Sequence, residues 1–233
     1  MTSSAVAVAA QVGPSVAGVA LAADPSGALW HESERLLIVA DLHLEKGSAF
    51  ASRRVFLPPY DTAATLARLA ALVARYRPAG VVALGDSFHD PRAQARMTAR
   101  DADALRGLGA GRDWIWIAGN HDPEAEGDFG AAHAEWRVGG LVFRHEPRAG
   151  VQTGEIAGHL HPAARVPGRA GPLRRRCFVG DGARLILPAF GAFAGGLNIR
   201  DAAFHGLFGL RPIAHVLGRA ATHSVPLARC LPD

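Results

Sequence analysis

Asp41-Leu42-His43, Gly85-Asp86-Ser87-Phe88-His89-Asp90, Gly119-Asn120-His121-Asp122, His145 and Gly158-His159-Leu160-His161 gather carboxylate, imidazole and amide donors into five short strings. Such donors suit divalent cations. Together they can serve two ions in one pocket, and a paired-metal pocket points to chemistry at phosphorus. Asp41 and His43 are two residues apart, so in an extended segment both project to one side and can converge on one ion. Gly85 permits a tight turn that exposes Asp86, whose two carboxylate oxygens can bridge two cations. Asn120 offers a neutral amide oxygen. His159 and His161 repeat the two-residue spacing, and His145 supplies another nitrogen. Each piece alone has a plainer reading, as an exposed pair, a turn, a helix cap or a core histidine. Their combination in one chain carries the metal reading.

Apolar runs stand in front of these strings. Residues 36–40, 81–84 and 113–118 read as buried strands that stop at Asp41, Gly85 and Gly119. Helical spacing predicts a helix over residues 60–76, and a second helix is expected over residues 92–108. Strand and helix in alternation imply a largely parallel sheet covered by helices. In such a sheet ligands collect outside the carboxyl ends of the strands, where the first three strings begin. After His121 the runs shorten. Trp136–Val138, Leu141–Arg144, Glu155–Ala157, 177–179 and 185–187, separated by Gly and Pro turns, predict a second sheet packed on the first.

The chain has 233 residues, of which 49% are hydrophobic, enough for one sizeable core and a single domain over 1–233. Residues 1–14 read as a loose leader. A strand over 16–21 follows, and the turn Asp24-Pro25-Ser26-Gly27 folds the chain back onto 28–30. No charged side chain occurs from Met1 through Ala23, so the basic start of a signal peptide is missing, and Gln11, Gly13 and Pro14 interrupt any membrane helix. With two cysteines and no disulfide framework or zinc-ribbon spacing, a cytoplasmic setting is expected, with no membrane partner. The net charge is +4, and Lys46 is the only lysine. Arginine pairs bidentately with phosphate, although genome base composition is the simpler source of an Ala- and Arg-rich chain. Residues 162–180 hold five arginines and no acid. They read either as a contact for a phosphate backbone or as an exposed loop with solvated charge. Trp114 and Trp116 could stack on bases, but their apolar strand favours core packing.

The order of the five strings resembles the calcineurin-like metallophosphoesterase superfamily. The resemblance implies a four-layer α/β/β/α sandwich of two mixed sheets flanked by helices. It also implies that one metal takes Asp41, His43, Asp86 and His161, and the other Asp86, Asn120, His145 and His159, with Asp86 between them. His121 then contacts phosphate and assists the leaving oxygen. A narrower resemblance rests on Ala40-Asp41-Leu42-His43-Leu44-Glu45-Lys46-Gly47, Leu57-Pro58-Pro59-Tyr60-Asp61-Thr62, Arg175-Arg176-Cys177-Phe178, Leu187-Pro188-Ala189-Phe190-Gly191-Ala192-Phe193 and Gly195-Gly196-Leu197-Asn198. These segments resemble the bacterial ligase-associated DNA damage response endonuclease (PdeM) family, linked to a DNA ligase and a helicase. One departure stands out. His89 occupies the place where the wider superfamily often carries a second Asp, and Asp90 follows it.

On this reading the chain is a metal-dependent phosphodiesterase and a DNA endonuclease of DNA repair, with DNA as its partner. Two divalent ions activate a hydroxide that attacks phosphorus opposite the leaving oxygen. His121 donates the proton, and Asp122 or Asp90 is expected to orient it. The donor set suits Mn2+, Fe or Zn, and the resemblance favours Mn2+. The alternative is a phosphoesterase for a small molecule such as a cyclic nucleotide or dinucleotide. An open basic groove favours DNA, whereas a closed narrow pocket favours the small ester. A binding scaffold that has lost catalysis predicts missing donors, and every donor position is filled.

Overall fold

The computed structural model describes residues 13–55, 57–58, 60–122, 132–209 and 211–233. The expected leader falls mostly outside the described residues. The strand expected over 16–21 is instead a tight hairpin, β1 (Ser15–Val16) and β2 (Val19–Ala20). Ala17 and Gly18 turn it with φ of 50° and 81°, a left-handed bend that glycine accommodates freely. β3 (Ala22–Ala23) and β4 (Leu29–His31) then form the predicted hairpin around Asp24-Pro25-Ser26-Gly27. The Asp24 carboxylate accepts from the Ser26 amide at 2.8 Å inside that turn.

β5 (Leu36–Val39), β6 (Gly80–Leu84) and β7 (Asp113–Ile117) pair in parallel, as their apolar runs predict. Between β5 and β6 lie α1 (Lys46–Ser52) and α2 (Asp61–Tyr76). The helix expected over 92–108 is two helices, α3 (Ala93–Arg96) and α4 (Ala99–Gly109). Met97 is extended between them, and the Thr98 side chain caps α4 by accepting from the Asp101 amide. A Thr followed three residues later by an acid is a helix-start signal that the apolar periodicity had hidden. With β8 (Ala132–His133) the first sheet runs β3-β4-β5-β6-β7-β8.

The second sheet begins with β9 (Trp136–Val138), β10 (Leu141–Arg144) and β11 (Glu155–Ala157), where short apolar runs predicted strands. It continues with β12 (Pro162–Val166), β13 (Leu173–Gly180), β14 (Arg184–Ile186), β15 (Leu197–Asn198), β16 (Ile213–Leu217) and β17 (Thr222–Pro226). Its main path is β15-β12-β13-β14-β11-β10-β9, with β16 and β17 added at β13. The arginine-rich 162–180 segment is therefore not a loop but mostly an antiparallel hairpin, Ala163 facing Arg176 and Val166 facing Leu173.

Strand alternation divides the core. Leu36, Ile38, Val82 and Leu84 face the second sheet and pack with Phe143, Ile156, Phe178 and Leu185. Leu37, Val39, Val81 and Ala83 face the other way, onto Leu66, Leu69 and Leu72 of α2 and Leu105 of α4. Trp116 is buried in this layer with Trp114 packed beside it, so the tryptophans are core residues. On the outer face of the second sheet, Cys177, Val179, Ile186 and Val216 meet Ile199, Phe204 and Leu207. The architecture is thus two mixed sheets between flanking helical layers. The layer over the second sheet is thin, formed around the 3-10 turn Ala202–Phe204. Both cysteines are buried free thiols. Among the described residues no helix is long and apolar enough to cross a membrane.

Candidate metal centre

The donors converge from five strand ends, three in the first sheet and two in the second. Asp41 and His43 follow β5, Asp86 follows β6 and Asn120 follows β7. His145 follows β10, and His159 and His161 follow β11. Because β10 and β11 are parallel, their carboxyl ends leave the second sheet on the same side. A buried ion cluster fixes that end. Glu155 of β11 pairs with Arg144 of β10 at 2.9 Å and also with Arg184 of β14. Breaking one partner of such a cluster strands a buried charge, so the cluster holds the register that places His145.

The backbone at these positions is not the extended one expected from residue spacing. Asp41, His43, Asp86, His159 and His161 have φ of 53°, 44°, 46°, 68° and 47°. Left-handed conformations at non-glycine residues cost about 1–2 kcal/mol each and cluster where function requires a particular side-chain direction. The chain therefore turns at each donor, and strand alternation does not aim the side chains. The consequence is clearest at His159 and His161, which extended spacing alone would place on one ion and which the family resemblance divides between two. They separate into different groups. Asp41, His43 and His161 form one triad and Asp86, His145 and His159 the other, with the donor atoms of each triad within 4.8 Å of one another.

Within the triads, atoms that carry lone pairs face one another. His145 donates through Nδ1 to the Leu84 carbonyl at 2.9 Å, which turns Nε2 toward the other donors. That Nε2 lies 3.0 Å from Asn120 Oδ1, 3.4 Å from Asp86 Oδ1 and 3.1 Å from His159 Nδ1. In the first triad, His161 Nε2 is 3.3 Å from both His43 Nε2 and Asp41 Oδ1. Donors about 2.1 Å from a common cation stand roughly 3.0–3.4 Å apart, so both triads fit divalent ions. Burial lowers the His43 ring to about 3, with a weaker opposing pull from Asp41, and burial also lowers His159. Both rings are therefore neutral, as ligation requires.

Two glycines keep the donors close. A Cβ at Gly119 would lie 2.1 Å from the Asp86 amide nitrogen, and one at Gly85 would lie 2.4 Å from His145 Nδ1. Neither position has room for a side chain.

His121 stands beside the second triad. Its amide donates to Asp86 Oδ1 at 2.9 Å, and its ring Nε2 lies 3.9 Å from Asp86 Oδ2. Nδ1 meets the His89 carbonyl oxygen at 2.8 Å. The expected orienting carboxylates are engaged elsewhere. Asp122 is buried and accepts from the amides of Asp86, Ser87, Phe88 and Gly119 at 2.8–3.1 Å. Burial pushes its carboxyl up to about 6, against the pull of the amides of Phe88, Ser87 and Gly119. Asp90 takes a two-point bond from Arg96 at 3.0 and 2.7 Å, which holds its carboxyl below the usual range. His121 Nδ1 thus meets a backbone carbonyl, a contact that side-chain chemistry could not reveal.

Further supports lie at the start of α1. Glu45 is buried, with φ of 65°, and accepts from Thr62 at 3.0 Å and Ser48 at 2.6 Å. Asp61 accepts from the Gly47 amide at 2.9 Å. Asp61 and Thr62 therefore brace the turn that follows His43. The arginines of 162–180 are largely occupied. Arg165 donates to the Pro232 carbonyl, Arg174 to Asp233 and the Gly196 carbonyl, and Arg176 to the Ala189 carbonyl. These contacts tie down the carboxyl terminus and the 189–196 loop.

Residues 34–178 match the calcineurin-like phosphoesterase family. Among solved structures, the chain is similar to the Pseudomonas putida nuclease MPE, at 30% identity and a TM-score of 0.69 over 90% of this chain and 98% of that one. It aligns less well with Yfce, a phosphoesterase from E. coli, at 15% identity and a TM-score of 0.39 over 82% of this chain and 98% of that one. Comparison with curated proteins gave no match.

Proposed function

Because the chain belongs to the calcineurin-like phosphoesterase family, we propose that it is a two-metal phosphodiesterase that cleaves DNA internally. The observation that carries this reading is the pair of triads, whose lone-pair atoms face one another beside a histidine outside both. In this assignment Asp41, His43 and His161 would hold one cation, Asn120, His145 and His159 would hold the other, and Asp86 would serve both. The cations, when bound, supply Lewis acidity and an activated water at neutral pH. The donor set suits Mn2+, and Fe or Zn would also fit.

His121 contacts the phosphoryl oxygens and gives a proton from Nε2 to the departing alkoxide. For this, Nδ1 keeps its own proton on the His89 carbonyl, so Nε2 is the position that gains and loses one. Asp122 is a positioning residue, since its carboxylate gathers the amides that shape the turns at Asp86 and Gly119. Asp90 acts further out, by pinning Arg96 at the edge of the site.

A nucleic-acid substrate is supported by the likeness to a nuclease and by the exposure of the acid, whose side chain is 40% accessible. A position in DNA repair beside a ligase and a helicase would follow from the narrower family resemblance. The test is an assay in Mn2+ that compares an aryl diester, an aryl monoester, a cyclic nucleotide, single-stranded DNA and duplex DNA. Cleavage of the aryl diester and of DNA, both lost in chelator, is the expected result. Hydrolysis confined to the monoester or the cyclic nucleotide would overturn it.

A further inference from the structure

We propose that the cavity between α1 and α3 is a second phosphate subsite, which holds the nucleic-acid backbone on the leaving-group side of the metal centre. The inference rests on the phosphodiesterase reading above. The cavity has a volume of about 540 Å3, and its walls include Ser52, Arg53, Asp90, Arg92 and Arg96. Three arginines and one acid thus line it. That carboxylate is already neutralised, because Arg96 holds Asp90 through both nitrogens and reaches Ser48 at 3.1 Å. Arg53 and Arg92 are exposed, and neither guanidinium has a hydrogen-bond or ion-pair partner among the described residues. Two unpaired forks remain, with a geometry that matches phosphate oxygens.

The cavity adjoins the acid rather than the far side of the metals. Asp90 directly follows His89, whose carbonyl holds His121 and whose ring stacks on the His121 ring at 5.3 Å. Phe50, next to the cavity residue Ala49, lies 5.7 Å from the His89 ring. Phe50 and His89 therefore form the partition between the metal centre and the cavity. A chain whose leaving oxygen takes its proton from His121 departs over this partition and meets Arg53 and Arg92. Contacts of this type position a backbone without reading its sequence. They also reward a polymer and ignore a small aryl ester that ends at the partition.

The test is the double variant Arg53→Ala/Arg92→Ala, assayed on an aryl diester and on a long single-stranded oligonucleotide over a range of salt. The aryl diester rate is expected to stay within about twofold of the parent. The kcat/KM for the oligonucleotide should fall at least about tenfold at low salt. Its dependence on log salt should flatten by about 1.4, from roughly 0.7 for each phosphate that the variant no longer neutralises. Unchanged oligonucleotide cleavage would overturn the subsite and leave the phosphodiesterase reading intact. If the parent protein cleaves the aryl diester but no nucleic acid, both the substrate assignment and the subsite fall. Should the double variant lose both activities, the single variants Arg53→Gln and Arg92→Gln decide. Each must keep the aryl rate and flatten the dependence on log salt by about 0.7, half of the change expected of the double variant, and failure of either condition refutes the subsite.

Discussion

Nδ1 of His121 meets the carbonyl oxygen of His89 at 2.8 Å, so the ring is held by backbone at a position where a carboxylate was expected. On the proposed acid role this leaves Nε2 for the proton transfer and puts no carboxylate on Nδ1. Replacing His121 with Ala should therefore leave the bound metal unchanged and lower kcat by about 10²–10⁴-fold on a poor alkyl leaving group. The loss should be smaller on an aryl leaving group that needs little protonation. Equal losses on both would argue against the acid role, and elemental analysis gives the metal content in parallel.

Asp86 sits 3.4 Å from His145 Nε2 and receives the His121 amide at 2.9 Å, which joins the second triad to the acid. Asp86→Asn replaces a charged oxygen with an amide and should reduce bound metal to one ion or none, with activity falling in step. Two retained ions per chain would contradict its place between the cations.

Asp122 accepts four buried amide bonds and touches no ring of the triads in those contacts. Asp122→Asn leaves some of these amides facing an NH2 group. A stability loss of about 1–3 kcal/mol is expected from the unsatisfied donors. Metal affinity should also weaken by about 10–100-fold, as for other supports behind metal ligands. Chemical denaturation in chelator measures the first effect and metal titration the second. A variant of parental stability and affinity would show that the clamp is dispensable.

His215 gives a pH dependence away from the metals. Burial holds its ring below the ordinary 6.5, and Nδ1 lies 3.1 Å from Ser224 Oγ. The unfolded chain takes up a proton near 6.5 that the folded chain takes up only at lower pH. Stability therefore rises with pH through this window and is lost as pH falls below 6.5. His215→Gln should flatten the dependence of the urea midpoint on pH when both proteins are measured in chelator. An unchanged slope would refute the contribution.

The parts of the fold that were legible in the sequence were those in which one signal dominates. Leu36–Val39, Gly80–Leu84 and Asp113–Ile117 are apolar runs that end at Asp41, Gly85 and Gly119, and their chemistry begins where the sheet stops. The break at Met97–Thr98 was obscured because a local cap overrode the longer pattern. The donors themselves were readable, and the family resemblance already divided His159 from His161, but residue spacing alone did not aim them. A two-residue spacing predicts convergence only on an extended backbone, and the left-handed turns at His159 and His161 send those rings to different triads. The roles of the His89 carbonyl and of Arg165, Arg174 and Arg176 depend on contacts between residues far apart in the chain, which composition does not encode.

The central claim is that two cations held by these triads are both required for phosphodiester cleavage. The most direct measurement titrates Mn2+ into metal-stripped protein while the initial rate on an aryl diester is followed. No rate in chelator, and a rate that saturates at two bound ions per chain, are expected. Full activity with one ion, or activity that survives complete removal of metal, would contradict it.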